Sequence, residues 1–340
     1  MTSKVTIQDV ADRAEVSIGT VSRVLNGGGA AADTREKVLE AASELNYRVN
    51  LFARGMRGSR KNCIGILVEG GISDEDPWLE SIMVAMSRVI SRSGYHCMID
   101  FWDGAGAELP KMLDNVDGCM LLGHYPDEFF RTIDQELGLP LVTYDEKMPY
   151  ENGEALSVDW EAGMHEVLGY LLALGHERVG LVIAGLDYPS LRARYEGYLE
   201  ALPTYGRQVD RAVIKTTVAM DRGPFRMASE LTGELLGEEP ELSAIVYGSD
   251  TMAVAGMQKL QGMGLSVPED VSVVGFDDSA WAQVTSPPLT TEGVNYRDLS
   301  SRMLEALRAL IGERSAPPKL TIKPELIRRA SAARRGRGLE

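Results

Sequence analysis

From Cys63 onward the sequence alternates short apolar, β-branched runs with longer amphipathic stretches, and this alternation restricts the fold more than any other feature. The runs are CIGILVEG, HCMIDFWDG, VDGCMLLGH, LPLVTYDE, RVGLVIAG, DRAVIK, LSAIVYGSD and DVSVVGFDD. Helical periodicity occupies Pro77–Arg92, 161–174, 191–202, 224–236, 251–263 and 297–311. Strands alternating with helices build right-handed βαβ units, so parallel sheets covered on both faces are expected. About nine strands spread over so long a chain divide better between two sheets than one. Ligands of such sheets sit beyond the carboxyl ends of the strands. The runs end there on acids: Glu69, Asp103, Asp145, Asp250, Asp277 and Asp278.

The first 48 residues follow a different rule. In TIQDVADRAEVSIGTVSRVLNGG, Thr6 can cap a helix whose apolar face is Ile7, Val10, Ala11 and Ala14. Val16 closes a turn, and Ser17 can cap a second helix carrying Val21, Val24 and Leu25, ended by Gly27, Gly28 and Gly29. A third helix from about Asp33 to Asn46 has Val38, Leu39, Ala42 and Leu45 as its expected buried stripe. Two short helices joined by a tight turn, with a third behind them, describe a helix-turn-helix. The next stretch, VNLFARGMRGSRKN, is polar, basic and punctuated by glycine, and reads as a linker.

Charge separates the same two parts. The chain carries net −15, yet residues 1–61 hold ten Lys/Arg against seven acids. A basic head on an acidic body suits a phosphate-contacting module attached to a domain that does not touch nucleic acid. The second helix of a helix-turn-helix enters the major groove. Its leading residues are Ser17, Ile18, Gly19, Thr20, Ser22 and Arg23, with Thr6 and Asn26 flanking. Arg23 can pair with guanine O6 and N7, Thr20 and Ser22 can reach bases or phosphates, and Ile18 can touch a thymine methyl.

Enzyme chemistry finds little support. GxSxG, GxxxxGK[ST] and HExxH are all missing, and His96, His124, His165 and His176 show no ligand-like spacing. Cys63, Cys97 and Cys119 are odd in number and lack CxxC spacing, so they read as small buried hydrophobes in a reducing compartment. Neither a metal, a cofactor nor a catalytic residue is expected. No apolar run approaches the ~20 residues that span a bilayer, and the first residues lack a secretory pattern, so a cytoplasmic protein is expected.

These stretches resemble the lactose-repressor/galactose-repressor (LacI/GalR) family. The resemblance runs through TREKVLEAASELNY, FARGMR, LALGHERVGLVIAG, RYEGYLEAL, AIVYGSDTMAVAGMQKLQGMGLSVPEDVSVVGFDDS and PPLTT, nearly the whole chain. It implies an α/β protein: an all-α helix-turn-helix head and two Rossmann-like subdomains of periplasmic-binding-protein type. The implied function is a transcriptional repressor that binds palindromic double-stranded operator DNA as a homodimer or tetramer, away from any membrane. A small-molecule effector, a mono- or oligosaccharide, is implied between the subdomains.

Residue by residue, the resemblance makes Ile18 and Gly19 specificity positions and Arg23 a base-reading arginine. Arg54, Met56 and Arg57 fall in an implied hinge helix, with Met56 where the family usually wedges a leucine into the minor groove. Asp145, Arg194 and Asp277 match effector-contacting positions, Glu69 ends the first core strand, and Ser249 and Asp250 match a polar pair. For Asp250, helix cap and ligand contact are equally open, and Asp278 can also cap a helix. The chain departs from the family at Ala30-Ala31-Ala32, where a Ser or Thr cap is usual, so Asp33 or Thr34 must cap instead. The usual aromatic sugar-stacking position holds Val218, which leaves Trp78 or Trp102 to replace it.

The expected map is a head at 1–48, a hinge at 49–61, a first subdomain at 62–161 and 291–321, a second at 162–290 and 322–332, and a tail at 333–340. The stretch from Pro287 to Asn295 should return the chain to the first subdomain. The competing reading is a sugar-binding receptor with the same body and no DNA role, against which the head argues.

Overall fold

The computed structural model describes residues 5–25, 28–45, 47, 60–72, 76–104, 106–145, 148–149, 151–312 and 321–335. Asn26, Arg54, Met56 and Arg57, with the rest of the expected hinge up to residue 59, lie outside the described residues. The chain forms two compact units, Met1–Asn62 and Cys63–Glu340.

In the first unit, α1 (Ile7–Ala14) begins at Thr6. The Thr6 hydroxyl accepts from the Asp9 N–H at 3.4 Å, and the Asp9 carboxylate accepts from the Thr6 N–H at 2.7 Å. This reciprocal box satisfies two otherwise orphaned donors. Glu15 turns the chain at φ 54°, and the Val16 N–H returns to Ala11 O at 3.0 Å. Ser17 Oγ then accepts from the Thr20 N–H at 3.1 Å and starts α2 (Ile18–Leu25). Gly28 closes in behind α2: a side chain there would meet the Arg23 stem at 2.7 Å. Val10, Val21 and Val38 have no exposed surface and pack with five small neighbours into the unit's core.

Two expectations for α3 (Ala32–Glu44) need correction. Its N-cap is Ala31, with no side-chain cap bond, so neither Asp33 nor Thr34 caps it. Both already lie inside the first turn, where the Asp33 carboxylate favours the positive helix end. Leu39 is 50% exposed; the inward stripe is Val38, Ala41 and Ala42, and Leu39 points about 100° away from Val38.

The second unit holds two six-stranded sheets. The first has the order β11 (Thr321–Ile322), β5 (Gly153–Val158), β4 (Leu141–Tyr144), β3 (Gly118–Leu122), β1 (Cys63–Glu69), β2 (His96–Trp102). The second runs β12 (Glu325–Ile327), β10 (Thr290–Gly293), β9 (Ser272–Phe276), β8 (Ala244–Tyr247), β6 (Gly180–Ala184), β7 (Ile214–Thr217). Pairing is parallel throughout except for β10 with β12. β5, β10, β11 and β12 carry little local signal: β10, β11 and β12 run for four, two and three residues, and β5 is mostly half-buried. The helix Asp127–Glu136 was likewise not expected; it buries Phe129, Phe130 and Ile133 against the outer face of the first sheet.

Three crossings join the sheets, and they correct the expected map at its edges. Trp160 already opens a helix, Trp160–Ala173, that packs on β10 and β12 of the second sheet. Thr291 and Glu292 pair within the second sheet, so the return to the first begins after Gly293 and continues into helix Tyr296–Leu310. Ile322 pairs with Val158 in the first sheet, moving the last crossing to between Ile322 and Glu325. Asp159 and Asn295 each cap the helix that follows, which fixes where the chain turns. One apolar core extends through both subdomains and includes Trp160, Met164 and Leu168 of the helix at the first crossing.

Candidate functional site

A cleft of about 110 Å³ opens between the subdomains at the carboxyl ends of their strands. Asp145 directly follows β4 and takes a left-handed backbone, φ 52°. Its Oδ1 accepts from the Val158 N–H at 2.7 Å, and its Oδ2 accepts from Trp160 Nε1. Burial pushes its carboxyl up to about 6, against the pull of those two donors.

Asp277 directly follows β9, also at positive φ (107°). Its N–H donates to Glu292 O at 2.6 Å and its carbonyl accepts from Tyr296 Oη, so the backbone is locked on both sides. Arg194, 3% exposed, reaches it from helix Pro189–Thr204. Nη2 donates to Asp277 Oδ1 at 2.8 Å and Nη1 to Gly248 O at 2.6 Å. The guanidinium lies 3.9 Å over the Trp160 ring and 4.9 Å from that of Phe276. Burial raises the Asp277 carboxyl, and Arg194 opposes that rise.

The remaining expected cleft residues divide. Ser249 lines the cleft and caps helix Asp250–Gly262, its Oγ accepting from the Met252 N–H at 3.2 Å. Trp78 lines the cleft and stacks on Tyr144 at 6.0 Å. Glu69 stands behind the lining residues Gly71 and Tyr188, accepting from the Gly71 N–H at 2.9 Å and from Tyr188 Oη at 3.5 Å.

Asp250 does not line the cleft and is not the helix cap. Its two oxygens accept from the Ser279 N–H at 2.7 Å and Thr291 Oγ1 at 2.6 Å, pinning the segment after β9 to β10. Asp278 also caps nothing: its Oδ1 accepts from Arg329 Nη2. Trp102 is 4% exposed and packs on Tyr125 and Phe129, away from the cleft. Side chains alternate along β2, and its register sends Trp102 to the outer layer. Val218 is 68% exposed and is not among the cleft residues.

Sequence reading missed Asp76, Tyr144 and Tyr188, all of which line the cleft. Asp76 Oδ1 accepts from the Trp78 N–H at 3.1 Å, capping helix Pro77–Arg92, and from Thr251 Oγ1 at 3.0 Å on the opposite subdomain. Burial, then the charge of Asp277, pushes it up to about 6. The Asp-Pro pair was its signal, since Asp at a cap followed by Pro at the first helical position marks a helix start.

In the first unit, Ser17, Gly19 and Arg23 are exposed along α2, with Ile18, Thr20 and Ser22 half-buried between them. The hydroxyls of Ser17 and Thr20 lie 2.9 Å apart, so the two share a hydrogen bond. Gly19 is not required sterically, because an added Cβ would meet only Ser17 Oγ at 3.8 Å. Thr6 is held by its box with Asp9.

Residues 6–50 match the family described as bacterial regulatory proteins, lacI family, and residues 168–332 match a periplasmic binding protein-like domain. The HTH-type transcriptional regulator MalR of Streptomyces coelicolor is 30% identical over 96% of each chain. The chain belongs to the LacI family. DegA of Bacillus subtilis, another HTH-type transcriptional regulator, is 29% identical over 97% of this chain and 98% of its own. Among solved structures, the Lac repressor dimer bound to operator and the anti-inducer ONPF aligns with TM-score 0.77 and 25% identity, covering 97% of this chain and all of that one. The CelR–cellobiose complex aligns with TM-score 0.69 and 26% identity over 96% and 99%. The fold of this LacI-family chain is therefore the expected one: a helical head and two parallel α/β subdomains.

Proposed function

We propose that this LacI-family protein is a transcriptional repressor whose hold on operator DNA is set by a small sugar in the cleft. The observation that carries the reading is the cleft itself: Asp76, Asp145, Asp277 and Arg194 converge on one space beside Trp78 and Tyr144. Carboxylates accept from sugar hydroxyls, and an aromatic face covers the apolar side of a sugar ring. The relatives support both halves, one crystallised as a dimer on operator and one with cellobiose. A single helix-turn-helix buries too little surface for tight specific binding, so two heads pair on a two-fold operator. Ile18, Arg23 and the exposed edge of α2 face base edges, and Arg54, Met56 and Arg57 follow the linker to the backbone and minor groove. The protein acts in the cytoplasm and carries no catalysis.

The test is fluorescence anisotropy of a labelled operator duplex with the full chain, titrated with cellobiose and a panel of simple sugars. A sugar that changes operator affinity at least tenfold is expected. Trp78→Ala should need roughly tenfold more of that sugar, in line with the loss of one stacking face, while operator affinity without sugar stays within about twofold. An unchanged sugar response in Trp78→Ala would remove Trp78 from the site.

A further inference from the structure

Asp76 has a second consequence, which rests on the effector reading above. We infer that Asp76 is a specificity-determining residue that admits uncharged or cationic polyols to the cleft and excludes phosphorylated and carboxylated ones.

The first support is the state of the only cation that the described cleft residues supply. Both terminal nitrogens of Arg194 already bond the protein, Nη2 to Asp277 and Nη1 to Gly248 O, and its plane lies against Trp160 and Phe276. Its Nε is buried and has no hydrogen-bond partner among the described residues. A phosphate entering the cleft meets a guanidinium whose two terminal nitrogens are already bonded to the protein. A guanidinium fork is one strong phosphate binder, and here Asp277 and Gly248 O already occupy its terminal nitrogens.

The second support is what Asp76 itself occupies. It sits at the N-terminus of helix Pro77–Arg92, whose dipole and Trp78 N–H favour an anion. Asp76 fills that place with its own carboxylate, bonded to the Trp78 N–H. The position is thereby converted from anion-accepting to donor-accepting. Its other bond, from Thr251 Oγ1, is one that a sugar hydroxyl or an ammonium can replace like for like.

The third support is the local charge. Asp145 is engaged by Val158 and Trp160, and Asp277 by Arg194, which leaves Asp76 facing Asp277 with no cation bonded to it among the described residues. Burial already pushes Asp76 and Asp145 up to about 6, so the cleft holds its present negative charge reluctantly. A further anion in the same low-dielectric space is repelled, whereas an amine is drawn in.

Asp76→Asn is the informative variant, because asparagine caps a helix as well as aspartate does and removes only the charge. Calorimetry on the full-length wild type would compare glucose and cellobiose with glucosamine, glucose 6-phosphate and glucuronate. Thermal shift would check that the variant melts with the wild type. Neutral or amino sugars binding at least tenfold more tightly than the 6-phosphate and the uronate, with the gap narrowing to under threefold in Asp76→Asn, is the expected result. Tighter binding of an anionic sugar by wild type, or an unchanged gap in Asp76→Asn, overturns this inference and leaves the effector reading standing. Binding of no sugar, neutral or charged, overturns the sugar-effector reading and this inference with it.

Discussion

Arg194→Ala is expected to destabilise the body by about 3–5 kcal/mol, the usual consequence of removing one partner from a buried ion pair. The guanidinium is 3% exposed and connects three separate pieces of chain: Asp277 after β9, Gly248 after β8, and Trp160 at the first crossing. Its removal leaves the Asp277 carboxylate buried without a counter-charge, Gly248 O without its donor, and a gap against two aromatic faces. Burial already raises Asp277, and Arg194 is what opposes that rise. In the variant the carboxyl should therefore take up a proton more readily, and the loss should be smaller at pH 5 than at pH 8. Urea unfolding at both pH values measures this. The double variant Arg194→Ala/Asp277→Asn should lose less than the two single losses added together, because both remove one interaction. A loss below about 1 kcal/mol in Arg194→Ala would mean that the pair does not organise the cleft.

The opposite sign is expected at Glu292. This residue of β10 has no exposed surface, and neither carboxylate oxygen has a hydrogen-bond partner among the described residues. It lies where the crossings meet: a Cβ added to Gly163 would touch both Glu292 Oε1 at 3.1 Å and Pro324 Cγ at 2.8 Å. Burial pushes its carboxyl up to about 8, Glu166 adds to the rise, and Lys323 partly offsets it. An acid held above its unfolded value binds its proton more tightly in the native state. Its contribution is thus fully present below about pH 4.5 and is lost as pH rises towards 8. Glu292→Gln keeps the shape of the protonated acid and abolishes the titration. It should be near neutral at pH 4.5 and should stabilise by on the order of 3 kcal/mol at pH 8, flattening the pH profile between. Thermal unfolding across that range checks it. A wild type whose stability does not fall from pH 5 to pH 8 relative to Glu292→Gln would refute the buried acid.

How far these features could be read in the sequence depended on whether their cause was local. The Thr6 cap, the Ser17 cap and the inward positions of Val10, Val21 and Val38 follow from spacing within a few residues, and they are where the spacing puts them; the reciprocal bond to Asp9 was not read. Leu39 was misplaced because Val38 and Leu39 are both apolar, and only packing against α1 and α2 decides which one turns inward. Trp102 was misplaced for the same reason on a strand: alternation gives two faces, and the rest of the sheet decides which face meets the cleft. Asp145, Arg194 and Asp277 came from motif resemblance and do line one cleft, but the partners that hold them are distant in sequence. Glu292 had no signal at all, since nothing in TTEG shows that three crossings will bury its carboxyl.

That the head reads DNA under the control of the body is tested most directly by selecting bound duplexes from a random pool with the full-length chain. Wild type should enrich a sequence with two-fold symmetry. Arg23→Ala should bind that sequence more weakly by about 1–3 kcal/mol and lose preference at one base pair in each half-site, as the loss of a bidentate arginine–guanine contact requires. Enrichment of no palindrome by wild type, or of the same palindrome with equal strength by both proteins, would show that α2 is not the reading element.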